Sequence, residues 1–245
     1  MSAVGVGVAD LSDLLRTRLA AQGTPERAAG ERRYLRSTLT HLGVGVPVLR
    51  RSTRALLREH PLDLPARLEL VDALWQSGVY ELRRAAVEVL VLSADDLDCR
   101  HLVVVECMLR DAQTWALVDP LAIDVAGAVA MSDPAARPLF DRWNADDALW
   151  VRRAALLAWL PVLRADPKRF DGFAAYADLG LDERDFFIRK AIGWVLREVG
   201  KRAPTHVVAW LEPRVPRASG VTMREAVKYL PEADSTRLMA GYRAR

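Results

Sequence analysis

Apolar residues along this chain recur at helical spacing, and no stretch alternates apolar with polar over the length of a strand. Leu11, Leu14, Leu15 and Leu19 form one stripe over residues 10–22, a first helix. Thr24-Pro25 offers an N-cap followed by proline at the first helical position, which predicts a helix from there to about Leu42. Residues 43–46 read as a turn, and Pro47 opens a helix ending near His60-Pro61. The same pattern, punctuated by Gly, Pro, Asp and Ser, predicts helices over 65–76, 81–92 and 97–110, then from Trp115 to Met131. Further helices are expected over 134–143, 147–163, 168–176, 185–201, 204–211, 223–230 and 235–242.

A short string returns within this pattern. Arg83-Arg84-Ala85-Ala86, Arg152-Arg153-Ala154-Ala155, Arg189-Lys190-Ala191-Ile192 and Arg224-Glu225-Ala226-Val227 begin 69, 37 and 35 residues apart. The first gap is close to twice the others, so a copy is replaced near residue 118. A period of about 35 to 40 residues with two helices per unit predicts an all-α fold: an α-solenoid of antiparallel helix pairs (HEAT-like repeats). It is expected to form a single domain over 1–245, curved around a concave face. The alanines allow close helix approach, and the charged pair is expected at the helix's exposed edge.

The replaced copy is the stretch Asp111-Ala-Gln-Thr-Trp115-Ala-Leu-Val-Asp119-Pro120. It puts an indole and a carboxylate four residues apart, on one face of a helix. An ionised group is costly in so apolar a run unless something repays it. Two readings of Asp119 stand on the sequence: a functional carboxylate, or an N-cap followed by Pro120 at the first helical position. Trp115 and Trp194 likewise fit either a site or a core.

Composition narrows the class. With 51% hydrophobic and 27% charged residues the chain has the make-up of a globular protein. It has no run of eighteen apolar residues, so no membrane span is expected. Met1 to Asp10 lacks the basic and apolar regions of a secretory leader, and a reduced cytoplasmic setting is expected. Cys99, Cys107 and His101 are too few for a structural zinc site, and His41, His60 and His206 are scattered. No metal and no cofactor is expected. Charge is uneven: residues 31–60 hold seven arginines against Glu31 and Glu59, and residues 183–245 hold thirteen cationic side chains against seven acidic ones. Two basic ends fit a surface gripping a polyanion, or simply solvated helix faces.

The string from Phe186 to Glu198, Phe-Phe-Ile-Arg-Lys-Ala-Ile-Gly-Trp-Val-Leu-Arg-Glu, resembles the signature of the AlkD-type DNA alkylation repair glycosylases, a family of HEAT-like repeats. Weaker matches fall in order around Glu31–Tyr34, Leu42–Arg50, Leu74–Ala86, Trp115–Asp119, Leu149–Ala155 and Arg224–Val227, so the resemblance covers roughly residues 10 to 230. It implies a monofunctional glycosylase that hydrolyses the N-glycosidic bond of cationic alkylated purines, N3-alkyladenine and N7-alkylguanine. The substrate would be double-stranded DNA, with no lyase step and without base flipping. Asp119 matches the catalytic aspartate, and Trp115 and Trp194 match tryptophans of the cleft. Tyr34 matches a cleft tyrosine and Arg153 a phosphate-contacting arginine, while Phe186 and Phe187 read as half packing and half cleft edge, with Phe187 expected to touch DNA. Arg152, Arg153, Arg189, Lys190, Arg224 and Lys228 recur at equivalent repeat positions and are expected to follow one phosphate backbone, with Arg50, Arg51 and Arg54 on the other strand. DNA binding of this kind would make the protein nucleoid-associated. A monomer is expected. The chain departs from the family pattern at Val46, Thr114, Ala116 and Pro120. Two other functions stay open: a glycosylase for bulky adducts giving self-resistance to a DNA-alkylating natural product, and a non-catalytic helical-repeat module binding DNA or protein.

Overall fold

The computed structural model describes residues 7–245, and among these no strand occurs; an isolated bridge joins Thr40 to Val79. The helices in chain order begin with α1 (Val8–Ala20), α2 (Pro25–Leu35), α3 (Val46–Glu59), α4 (Leu64–Trp75) and α5 (Tyr80–Leu92). There follow α6 (Leu102–Asp111), α7 (Trp115–Pro120), a π-helical segment (Leu121–Ala126), α8 (Gly127–Ser132) and α9 (Arg137–Asn144). Then come α10 (Leu149–Leu157), α11 (Trp159–Ala165), α12 (Phe170–Gly180) and α13 (Phe186–Gly200). The chain closes with α14 (Pro204–Leu211), α15 (Gly220–Ala226) and α16 (Glu232–Arg243). Residues 1–6, part of the stretch inspected for a leader, lie outside the described residues.

The described chain forms two compact units, one running to Leu97 and including Asp111–Leu121, the other made of Asp98–Arg110 and Ala122–Arg245. Inside each, side-chain bonds join residues one repeat apart. Arg50 donates to Glu88 at 3.0 Å and the Trp75 indole to Asp111 at 2.9 Å in the first unit. In the second, Glu106 accepts from both Arg142 and Trp143 at 2.8 Å, and Arg110 donates to Asp146 at 2.6 Å. Tyr176 donates to Asp141 at 2.6 Å, Arg152 to Glu183 at 2.9 Å, and Lys190 to Glu225 at 2.5 Å. These partners stand 31 to 38 residues apart in sequence, which is the period the repeated string predicts.

Most element boundaries follow the sequence signals, and the exceptions have local causes. The helix expected to reach Leu42 stops at Leu35, where Arg36 turns left-handed at φ 50°. The chain beyond it is held instead by Glu81, fully buried on α5, which accepts the backbone N–H groups of Leu42, Gly43 and Val44 at 2.9, 2.7 and 3.2 Å. Gly43 sits at φ 78° with no room for a side chain beside the Thr24 carbonyl. The single helix expected over 147–163 is two, α10 and α11, parted at Ala158. Pro161 has no N–H to return to the Leu157 carbonyl, so the ladder cannot run through. Similarly Pro120 cannot bond the Ala116 carbonyl, and the chain widens into the π segment after it.

The stretch Trp115–Ser132 is long and apolar enough to cross a membrane by length and composition, and half of it is buried in the protein. It carries Asp119 and Asp124, and Leu117, Val118, Leu121, Ala122 and Val125 are fully buried, as suits a core segment.

Gly193 within the signature string has a packing reason. A Cβ there would meet the Glu225 Cβ at 2.7 Å and the Thr222 carbonyl oxygen at 3.1 Å, so α13 and α15 touch backbone to backbone. Gly193→Ala is therefore expected to destabilise the fold by about 1–3 kcal/mol despite alanine's better helix propensity. The check is urea denaturation followed by circular dichroism. A midpoint equal to or above wild type would show that the close approach carries no weight.

Candidate active site

The first unit gathers its candidate residues at the start of α7. Thr114 caps the helix, its hydroxyl accepting the Ala116 N–H, and is 2% exposed. That hydroxyl gives the departure at position 114 a structural role, since a capping side chain is needed there. Just before it, Gln113 accepts both the N–H and the hydroxyl of Thr38, at 3.1 and 2.6 Å. Asp119 is consequently not an N-cap. It lies inside α7, one turn after Trp115, with 9% of its surface exposed, and its chain neighbours Leu117, Val118 and Leu121 have none. A carboxylate confined to so narrow an opening acts at short range in poorly screened surroundings.

Trp115 is half-buried and meets the ring of Tyr34 edge-on, centroids 6.1 Å apart at 86°. Tyr34, in the last turn of α2, is 73% exposed, so an aromatic face stands open to solvent beside the indole. Three arginines of the same turn, Arg32, Arg33 and Arg36, are exposed, and no ion pair among the described residues engages them. Sequence reasoning passed over these three in favour of Arg50, Arg51 and Arg54. The spacing around Tyr34 was the available signal.

Behind α7, the repeated Arg83-Arg84 pair is not at an exposed edge. Both are buried, 7% and 6% exposed. Arg83 donates to the Trp75 carbonyl at 2.9 Å, pairs with the Asp111 carboxylate at 2.8 Å and lies 4.8 Å over the Trp75 ring. Asp111 in turn accepts the Trp75 indole N–H. This arrangement fixes the chain immediately ahead of Trp115.

In the second unit, Trp194 is half-buried on α13. Arg153 is 3% exposed and donates to the Phe187 carbonyl at 2.6 Å, its guanidinium 5.7 Å from the Phe187 ring. Trp150 lies tilted at 59° against Phe187, ring centroids 4.8 Å apart, and stays half-exposed, so it joins the aromatic group there. Phe186 beside it is 54% exposed.

The expected cationic track divides by accessibility. Arg51, Arg224 and Lys228 are exposed, and none forms an ion pair among the described residues. Arg50 is held by Glu88, Arg152 by Glu183 and the Asp146 and Asp147 carbonyls, Arg189 by the Glu183 carbonyl and Lys190 by Glu225. Burial works to raise the Glu225 carboxyl, but Lys190, Arg197 and Lys228 outweigh it and hold it below the usual range.

Fold and site together define an all-helical repeat protein that carries a secluded carboxylate, open aromatic faces and uncommitted arginines. The family model described as DNA alkylation repair enzyme matches residues 15–230, and the chain belongs to that family of enzymes acting on DNA. Solved structures agree on the fold. A predicted DNA alkylation repair enzyme from Enterococcus faecalis is 24% identical with a TM-score of 0.76, covering 86% of this chain and 98% of its own. AlkD2 from Streptococcus mutans is 21% identical with a TM-score of 0.60, covering 76% of this chain and 90% of its own. The smu.31 protein of Streptococcus mutans UA159 is 19% identical with a TM-score of 0.62, over 90% of this chain and the whole of its own. No curated protein matches the sequence.

Replacing Arg83 by methionine keeps an apolar stem but removes its bonds to the Trp75 and Asp111 backbone. A loss of about 2–3 kcal/mol in unfolding free energy is expected, with a change in the near-ultraviolet signal of Trp75. An unaltered urea midpoint would remove Arg83 from the support of α7.

Proposed function

We propose that this protein is a monofunctional DNA glycosylase that releases cationic N3-alkyladenine and N7-alkylguanine from duplex DNA, with Asp119 as its catalytic carboxylate. The observation that carries the proposal is Asp119 itself, one turn from a half-open Trp115 and almost shut off from solvent. Alkylation at N3 or N7 leaves the base positively charged and its bond to the sugar weakened. The base departs without needing a proton, so no general acid is required. What remains is an oxocarbenium-like sugar, as in glycoside hydrolysis. A carboxylate at short range stabilises that charge and holds the attacking water. Indole faces add attraction for a developing cation, about 0.5–2 kcal/mol each, and exclude water.

A lyase step would need an amine to form a Schiff base with the sugar. The four lysines of the chain are Lys168, Lys190, Lys201 and Lys228, none within the 111–124 stretch. Binding rests on the uncommitted cations, which contact phosphates without reading sequence, as a protein searching for rare lesions requires. Recognition of the sugar and backbone in place also dispenses with a deep base pocket, in contrast to enzymes that extrude their target.

The direct test is to incubate methylated duplex DNA with the protein and measure free N7-methylguanine and N3-methyladenine. Wild type should release both, and Asp119→Asn should slow release about a hundredfold or more. Equal rates for the two proteins would sink the assignment. Binding divides the arginines. Arg51→Ala and Arg224→Ala should each reduce the slope of log affinity against log salt by about one, whereas Arg153→Ala should lower stability and leave that slope alone. The reverse pattern, from filter binding at graded salt, would place the phosphate contacts elsewhere.

A further inference from the structure

Glu31 on α2, His41 in the following connection and Glu81 on α5 are far apart in sequence, yet one ligand atom from each lies within 4.8 Å of the other two. All three belong to the first unit. Their hydrogen bonding is incomplete in a telling way. Both ring nitrogens of His41 and Oε2 of Glu31 are buried without a hydrogen-bond partner in the protein. Glu31 spends its other oxygen on Arg27, at 2.6 Å. Glu81 has no exposed surface, and its oxygens take the three N–H groups of residues 42–44. Two carboxylates thus face a histidine across a gap, and an unpartnered buried polar atom is costly on either side of it.

A neutral imidazole offers lone-pair nitrogen, as metal coordination requires. It is also held in position: Tyr80 stacks on it at 4.6 Å and 13°, and Thr40 is pinned to Gly78 and Tyr80 through the backbone. A cavity of about 580 Å³, lined by Arg32, Thr38, Thr40 and His41 among others, gives a route in from solvent.

We propose that Glu31, His41 and Glu81 form a binding site for one divalent transition-metal ion, with Zn²⁺ the ion its donor set suits best. One imidazole nitrogen and two carboxylate oxygens make a borderline donor set, and three protein ligands leave a fourth position for water. The ion would neutralise the facing carboxylates and tie α2, the 36–45 connection and α5 into one body. Its role is to hold the short connection that follows Tyr34, and it takes no part in chemistry at Asp119. No local pattern announces the site, because the ligands are 10 and 40 residues apart and share no motif.

The test uses the full chain, stripped with a chelator and dialysed against Zn²⁺, with bound metal measured by mass spectrometry and thermal unfolding recorded alongside. Wild type should bind one equivalent and gain thermal stability. Glu31→Gln and His41→Gln should each weaken binding at least tenfold and lose that gain. Cys99→Ser, which removes a free thiol in the second unit, should behave as wild type. Glu31→Gln, on a half-buried surface position, keeps the test alive if the histidine variant fails to fold. Absence of bound Zn²⁺ in wild type, binding unchanged in Glu31→Gln, or binding abolished by Cys99→Ser would each overturn the proposal.

Discussion

Charged side chains that reach from one helix pair to the next set the terms for everything else in this molecule. Helices packed through alanine and glycine come close, as α13 and α15 do at Gly193, but such contacts say little about which neighbour belongs where. Register comes from the polar pairs. Glu106 takes Arg142 and Trp143 together, Arg110 takes Asp146, and Glu225 takes Lys190. Each pair is satisfied only when the helix one repeat away is in place. A lost partner leaves a charge in a partly desolvated setting, which costs more than the pair contributes. The pairs thus specify order along the stack more than they add to stability.

The same economy governs function. A chain with 35 cationic residues appears rich in phosphate contacts, yet many of those side chains are already engaged. Arg83 is absorbed under α7, Arg153 against the Phe187 carbonyl, and Arg152 by Glu183. An arginine with a carboxylate at 2.9 Å must give up that bond before it can take a phosphate. The cations that no ion pair engages among the described residues, such as Arg33, Arg36, Arg51 and Arg224, are those on which a DNA-binding role rests most economically.

The carboxylate at the centre of the proposed chemistry owes its position to an irregular helix. Thr114 starts α7, Pro120 interrupts its hydrogen-bond ladder, and the π segment follows. Asp119 falls in the last turn before the interruption, where regular backbone bonding is already being given up. Wide helical turns of this kind recur at functional sites because they re-aim side chains without breaking the element. Here the proline that looks like an intrusion in the sequence is what shapes the local backbone.

Much of this was written in the chain itself. Apolar spacing and Pro/Thr/Asp punctuation gave most helices, because local backbone preference and one-sided burial act within a few residues. The repeated string gave the period, and the 186–198 segment pointed to the family to which the chain belongs. Tertiary structure decided what depends on distant partners. It ended α2 at Arg36, since Glu81 holds the backbone of residues 42–44 from another helix. It turned Arg83 and Arg84 inward, because charge in a sequence does not reveal whether a partner waits 28 residues away. It brought Trp150 to Phe187, and it set Glu31, His41 and Glu81 together, a meeting that no local pattern encodes.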